Sequence, residues 1–109
     1  MLDLKRLTYL TALYHHRSYT KASEELFVTQ PAISLAVKAL ERQTGIQLLD
    51  RQANGVVFTP EGEQYVLHAQ HILQECEKTE TILQELSTQW QQTLHLGISP
   101  TLGMNLQRY

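Results

Sequence analysis

A long stretch without helix-breaking residues constrains this chain more than any other feature. Residues 61–92 contain no proline, and their single glycine, Gly62, stands near the start. Within them a heptad seam recurs at alternating spacings of four and three, the pattern of a helix that packs along another helix. The seam consists of Tyr65, Ala69, Ile72, Cys76, Thr79, Leu83, Leu86 and Trp90. A helix of this length would reach roughly 45–50 Å, too far for one small domain to cover, so we expect dimerisation through this seam.

Three amphipathic helices are predicted before the long one. The first carries a stripe at helical spacing, formed by Leu4, Leu7, Leu10, Thr11 and Tyr14. A short second helix is predicted over about residues 20–26, with Ser18 or Thr20 as its N-cap. These elements indicate a mainly helical chain.

The third helix has the clearest end signals. Thr29 is an N-cap residue type, and Pro31 follows in the first turn, where the missing N–H of proline costs nothing. Gly45 is a plausible C-terminal stop. We expect the stripe of Ile33, Val37 and Leu40 to face the core.

A small hairpin is predicted between the third helix and the long one. Residues 47–49 and 56–58 are short extended segments, and Asn54 and Gly55 between them are a strong turn signal. Thr59, Pro60 and Glu61 then begin the long helix. Three helices and a two-stranded wing, followed by a long helix, match a winged helix-turn-helix with a dimerisation helix.

Charge is unevenly distributed along the chain, whose net charge is −2. Residues 1–60 carry seven Lys/Arg and five Asp/Glu, a net charge of +2, whereas residues 61–109 carry two and six, a net charge of −4. Only the N-terminal part is therefore cationic, which supports nucleic-acid binding mildly. The single cysteine excludes an intrachain disulfide, and no apolar run approaches a membrane span. We expect a cytoplasmic protein that does not enter a membrane.

The third helix is the candidate DNA-reading element. An α-helix with its side chains is about as wide as the DNA major groove, and the N-terminal residues of this helix reach base edges in a helix-turn-helix. Those residues are Thr29, Gln30, Pro31, Ser34 and Leu35. The helix N-terminus also offers free backbone N–H groups to phosphate.

Four segments resemble the N-terminal signature of LysR-type transcription regulators. They are residues 18–26, residues 28–34 with TQPAIS, LLDR at 48–51 and TPEG at 59–62, within a match over about residues 2–92. Leu40, Glu41 and Gly45, between the second and third segments, also fit the signature. The resemblance implies a winged helix-turn-helix, antiparallel pairing of linker helices, and promoter binding as a dimer or tetramer. It also implies an effector-binding domain downstream.

The resemblance also implies roles for individual residues. Gln30, Pro31 and Ser34 stand where the family contacts bases and the nearby backbone. Thr29 and Lys38 stand where it contacts phosphates.

Three positions leave alternatives open. Leu35 stands where many relatives have arginine, and it could contact a thymine methyl group or turn into the core. Asn54 stands in the wing where many relatives place a basic residue near the minor groove. Arg51 is a candidate DNA contact, or it could be structural and pair with a nearby acid.

Three regions follow. Residues 1–60 are the predicted DNA-binding domain, residues 61–92 the linker helix, and residues 93–109 the start of a truncated effector-binding domain. Residues 94–98 alternate like the first strand of that domain. The expected partners are double-stranded promoter DNA and a second copy of the chain, while a small effector would bind only through the absent domain.

A rival interpretation is a coiled-coil interaction protein whose helical head binds protein; the heptad seam supports it equally, but the third helix and the wing favour DNA. We expect no enzymatic activity, because no set of residues typical of catalysis is present. We also expect no metal or other cofactor. His15 and His16 diverge on a helix, His68 and His71 are at most half a site, and Cys76 is more typical of a buried seam residue than of a redox sensor.

Overall fold

A computed structural model describes residues 2–95 of the chain. The helices are α1 (Leu4–His16), α2 (Tyr19–Leu26), α3 (Gln30–Thr44) and α4 (Pro60–His95). The mainly helical fold class is confirmed, with three short helices followed by a long one.

Residues identified in the sequence fix the ends of the short helices. The Ser18 hydroxyl accepts a hydrogen bond from the Lys21 amide at 3.1 Å, and the Thr29 hydroxyl accepts one from the Ala32 amide at 3.3 Å. Each hydroxyl satisfies an amide that the helix itself leaves unpaired. Gly45 ends α3 with a left-handed φ of 72°. These short-range predictions are confirmed.

The core lies where α1, α2 and α3 meet. The predicted stripe of Ile33, Val37 and Leu40 is fully buried. On α1 the stripe is partly wrong, because Leu4 is exposed and Leu13 is buried instead. The largest fully buried side chains are Leu7, Leu10, Leu13, Ile33, Leu40, Leu48, Val37 and Val66.

The wing is shorter than the predicted pair of strands. Leu49 and Phe58 form an isolated antiparallel bridge, and the Asp50 amide donates to the Val57 carbonyl at 2.8 Å. The Asp50 carboxylate then accepts from the Gln52 amide at 3.0 Å, which turns the chain before the ladder can lengthen. The hairpin connection is present, but the described residues contain this bridge in place of two strands.

The first part of α4 belongs to a compact unit that runs Met1–Gln74. Val66 is fully buried and Ala69 is 1% exposed, while Tyr65 and Ile72 pack against the same core. Ala69 was predicted to contact a dimer partner. That prediction is wrong, because the side chain is already enclosed within its own domain.

The second compact unit is Glu75–Tyr109. Its described part is the rest of α4, which continues to His95 rather than ending near residue 92. Leu94 and His95 are helical, so the strand predicted over 94–98 is wrong at these two positions. Residues 96–98 lie outside the described residues.

Phe27 ends α2 in an unfavourable conformation. Its φ is 55°, a left-handed value that costs a residue with a Cβ atom roughly 1–2 kcal/mol. The side chain is 94% exposed, so the ring buries almost nothing in return. We expect Phe27→Asn to raise the free energy of unfolding by about 0.5–1 kcal/mol, measured by urea denaturation. Phe27→Leu keeps the cost of the left-handed φ and should not raise the free energy of unfolding. An equal increase in both variants would contradict the role of the left-handed φ.

Candidate nucleic-acid interface

The candidate reading residues share the outer face of α3 and its N-terminal end. Thr29, Gln30, Pro31, Leu35 and Lys38 are exposed, and Ser34 is half-buried. The opposite face of α3 is the fully buried stripe described above, and it fixes the orientation of the helix on the domain. All six side chains therefore lie on or beside a helix that is anchored in the core by its opposite face.

Gln30 is held in place by the preceding helix. Its amide nitrogen donates to the Thr20 hydroxyl on α2 at 3.1 Å, although both residues are exposed. The hydrogen bond restricts the Gln30 side chain before any ligand arrives. Thr20 was predicted only as a possible N-cap, because a contact between residues ten positions apart depends on how α2 and α3 cross.

Leu35 lies on the surface. Its side chain is 63% exposed, so the alternative in which it turns into the core is wrong. A large apolar side chain in this position is available for contact with a ligand.

Arg51 is part of an ion pair that joins the wing to α3. Its guanidinium donates to the Glu41 carboxylate at 2.6 Å. The other Glu41 oxygen accepts from the Leu48 amide at 2.8 Å and from the Leu49 amide at 3.4 Å. The alternative in which Arg51 pairs with a nearby acid is confirmed, and the sequence did not identify Glu41 as that acid. Contact of Arg51 with DNA stays a prediction.

The environment of Glu41 favours its ionised form. Burial alone would raise the pKa of this carboxyl group, but the hydrogen bonds from the Leu48 amide, Arg51 and the Leu49 amide outweigh it. The pKa of Glu41 is therefore lowered from its ordinary value of 4.5. The carboxylate stabilises the start of the wing against α3.

Glu41→Gln should destabilise the domain in a pH-dependent way. Because the pKa is lower in the folded state, the ionised carboxylate contributes stability above pH 4.5, and this contribution is lost as pH falls through the folded pKa. At neutral pH we expect a loss of about 1–3 kcal/mol in the free energy of unfolding. The difference from the unsubstituted chain should shrink below pH 4.5 in urea denaturation series. Glu24→Gln, at an exposed position of α2, is the matched control; a pH-independent loss in Glu41→Gln would contradict the assignment.

Asn54 is exposed in the turn of the wing, next to Gly55 with its φ of 79°. No basic side chain stands at this position of the turn. Within residues 2–95 there is no cluster of three or more potential metal ligands, and no helix there is long and apolar enough to cross a membrane.

The second part of α4 presents apolar side chains to solvent. Leu83 is 58% exposed, Leu86 37% and Trp90 39%. Ile82, beside the seam, is also exposed, and Cys76 is half-buried with a free thiol. This exposed apolar stripe is the kind of helix face that a partner helix covers.

Comparison with known proteins points to one family. The sequence profile described as a bacterial regulatory helix-turn-helix protein of the lysR family matches residues 4–63. YraN of Bacillus subtilis (strain 168), described as an uncharacterized HTH-type transcriptional regulator, is 38% identical over 98 residues, which cover 90% of this chain and 34% of YraN. OxyR of Escherichia coli (strain K12), a DNA-binding transcriptional dual regulator, is 34% identical over 106 residues, covering 94% of this chain and 33% of OxyR. The chain thus spans about a third of the length of these curated relatives.

The fold resembles that of a DNA-bound relative. The crystal structure of the BenM DNA-binding domain with benA site 1 DNA has a TM-score of 0.74 and 31% sequence identity to this chain. The likeness covers 79% of this chain and 97% of that one.

Proposed function

The chain belongs to the LysR family of bacterial regulatory helix-turn-helix proteins, and from that membership we propose that it is the DNA-binding part of a transcription regulator. In this proposal α3 enters the major groove by its N-terminal end. The wing, residues 50–58, lies near the minor groove. Two chains pair through the exposed part of α4. The role is regulatory rather than catalytic.

One observation carries the proposal: the outer face of α3 is accessible to solvent and, apart from Leu35, mainly polar, while its inner face is fully buried. Gln30 can form paired hydrogen bonds with adenine, and Ser34 can donate to or accept from several bases. Thr29 and Pro31 are exposed at the helix N-terminus, whose backbone amides favour phosphate. Arg51 and Asn54 are the wing residues proposed to make a second contact with the duplex.

Pairing of two chains is proposed for the part of the seam beyond the first compact unit. Cys76, Leu83, Leu86 and Trp90 remain there with exposed or half-buried side chains. Tyr65 and Ile72 pack partly against their own core, so their contribution to pairing is secondary. A dimer presents two reading helices, which is how helix-turn-helix proteins recognise paired half-sites.

Filter binding with random duplex DNA at low and high salt tests the function. The purified chain should retain DNA at low salt and lose it as salt rises, because binding releases counterions from the phosphates. With few basic residues near the groove, this dependence should be less steep than for a highly basic domain. Gln30→Ala should weaken binding to a selected site by about 1–3 kcal/mol. Gln64→Ala, an exposed glutamine on α4, should change nothing. Retention of no DNA at any salt concentration would favour the rival interpretation, a head that binds protein.

Leu35 is proposed to contact a thymine methyl group. With no charge at this position, an apolar contact is what the side chain can offer in the groove. Replacing one thymine by uracil in each half-site removes only the methyl group, and we expect a loss of about 1 kcal/mol at one position. Leu35→Ala should lose that sensitivity while keeping its fold, since the side chain is exposed. Indifference of the unsubstituted chain to uracil at every position would contradict this role.

The predicted division of the chain is retained as part of the proposal. Residues 1–60 would read DNA, and α4, predicted as residues 61–92 and extending to His95, would link and pair the chains. The effector-binding domain, predicted over residues 93–109, would then begin after α4. Small effectors would act through that further domain.

A further inference from the structure

A row of side chains runs down the outer face of α3 at intervals of four residues: Gln30, Ser34, Lys38 and Arg42. Residues four apart are neighbours on a helix surface. The row changes character along its length, from uncharged hydrogen-bonding groups at the N-terminal end to two cations at the other. Lys38 and Arg42 are exposed, and neither makes an ion pair within residues 2–95.

The cationic end of this row lines an open depression between α3 and the wing. Lys38, Arg42 and Arg51 all contribute to its wall, together with Glu41. The Glu41 carboxylate is already occupied by Arg51 and by two backbone amides. The three cations and the one carboxylate give the depression a net charge of +2. This charge favours the binding of an anion.

The dimensions of α3 identify that anion. At a rise of 1.5 Å per residue, Lys38 lies about 12 Å and Arg42 about 18 Å along the axis from Gln30. The major groove is about 8.5 Å deep, and depth is the dimension along which a helix entering by its end is measured. When the N-terminal end of α3 is at the base edges, Arg42 has therefore passed the groove, at the level of the sugar-phosphate backbone.

We propose that Lys38, Arg42 and Arg51 form a clamp for one phosphate of the DNA backbone at the edge of the major groove. Arg42 is its central member, and the Glu41–Arg51 pair keeps the wing side of the clamp in place. The guanidinium of Arg42 can donate two parallel hydrogen bonds to phosphate oxygens. This inference rests on the proposed function and adds a contact that positions the protein without reading sequence.

Salt dependence is the first test. Arg42→Gln should flatten the slope of log affinity against log salt by about 0.9, the value for one phosphate contact, and weaken binding several-fold on selected and random duplexes alike. Arg42→Lys should restore most of the slope. Lys78→Gln on α4 removes the same charge outside the depression and should leave the slope unchanged.

Neutral methylphosphonates, placed singly along a selected duplex, locate the contact. The unsubstituted chain should lose affinity when one particular phosphate of each half-site is neutralised, and Arg42→Gln should be indifferent to that same phosphate. An unchanged salt slope, or no phosphate that shows this coupling, overturns the clamp while leaving the proposed function intact. Failure of the unsubstituted chain to bind any duplex overturns the proposed function instead.

Discussion

Gly62→Ala is expected to lower the free energy of unfolding by about 3 kcal/mol, at the upper end for overpacking a core position. Gly62 is buried in the first turn of α4, and its amide donates to the Thr59 hydroxyl at 2.9 Å. A Cβ atom there would overlap the Leu48 carbonyl oxygen and lie only 3.0 Å from the carbonyl carbon. That carbonyl is backbone, and it also accepts from the Thr59 amide at 3.0 Å, so it cannot move without breaking the junction of wing and helix.

Gly45→Ala is the matched control for this prediction. Gly45 has a left-handed φ of 72° but open space around it, whereas Gly62 lacks space. Gly45→Ala should therefore cost only about 1 kcal/mol. Thermal and urea denaturation of both variants would separate the cost of a left-handed φ at residue 45 from the cost of steric overlap at residue 62. Equal losses in the two variants would contradict the close approach of Leu48 to Gly62.

Charges placed on the exposed part of the seam are expected to abolish pairing of the chains. In the double variant Leu83→Glu, Leu86→Glu, two carboxylates enter a face that the partner helix should bury, at a cost of several kcal/mol. The variant should sediment as a monomer at micromolar concentration. Its affinity for a two-half-site duplex should fall by about 100-fold or more, because the second half-site is no longer tethered to the first.

Leu67→Glu is the control for replacing an exposed leucine of α4 by a charged residue. Leu67 is an exposed leucine of α4 outside the heptad positions. This variant should remain dimeric and bind DNA as before. A double variant at Leu83 and Leu86 that stays dimeric would show that the seam is not the interface.

Features governed by neighbouring residues could be predicted from the sequence. The hydroxyls of Ser18 and Thr29 bond amides three residues away, and Gly45 ends α3 where the apolar stripe stops. Each signal acts over one helical turn, so no tertiary information was needed. The buried face of α3 followed from its spacing for the same reason.

The seam shows where such patterns become ambiguous. Spacings of three and four place residues on one helix face, but they do not say what covers that face. Ala69 is covered by its own domain, while Leu83 and Leu86 are exposed in the single chain. The pattern is unbroken between them, although the surroundings change along the helix.

Contacts between distant residues could not be predicted. Glu41 and Arg51 are ten positions apart and meet because the chain turns after Gly45 and brings the wing back to α3. The same holds for Thr20 and Gln30 on separate helices. Of these four residues, only Arg51 was expected from the sequence to make such a contact, and its acidic partner was not specified.

Selection of bound sites from a random duplex pool, using the purified chain, tests the central claim most directly. We expect enrichment of sites with two copies of one half-site, at centres separated by about 10 base pairs or a multiple of that spacing, as two-fold related helix-turn-helix proteins require. The same selection with Gln30→Ala should lose the preference at one position in each half-site and keep the spacing. A pool that stays random while the protein is folded and dimeric would contradict the claim that α3 reads DNA.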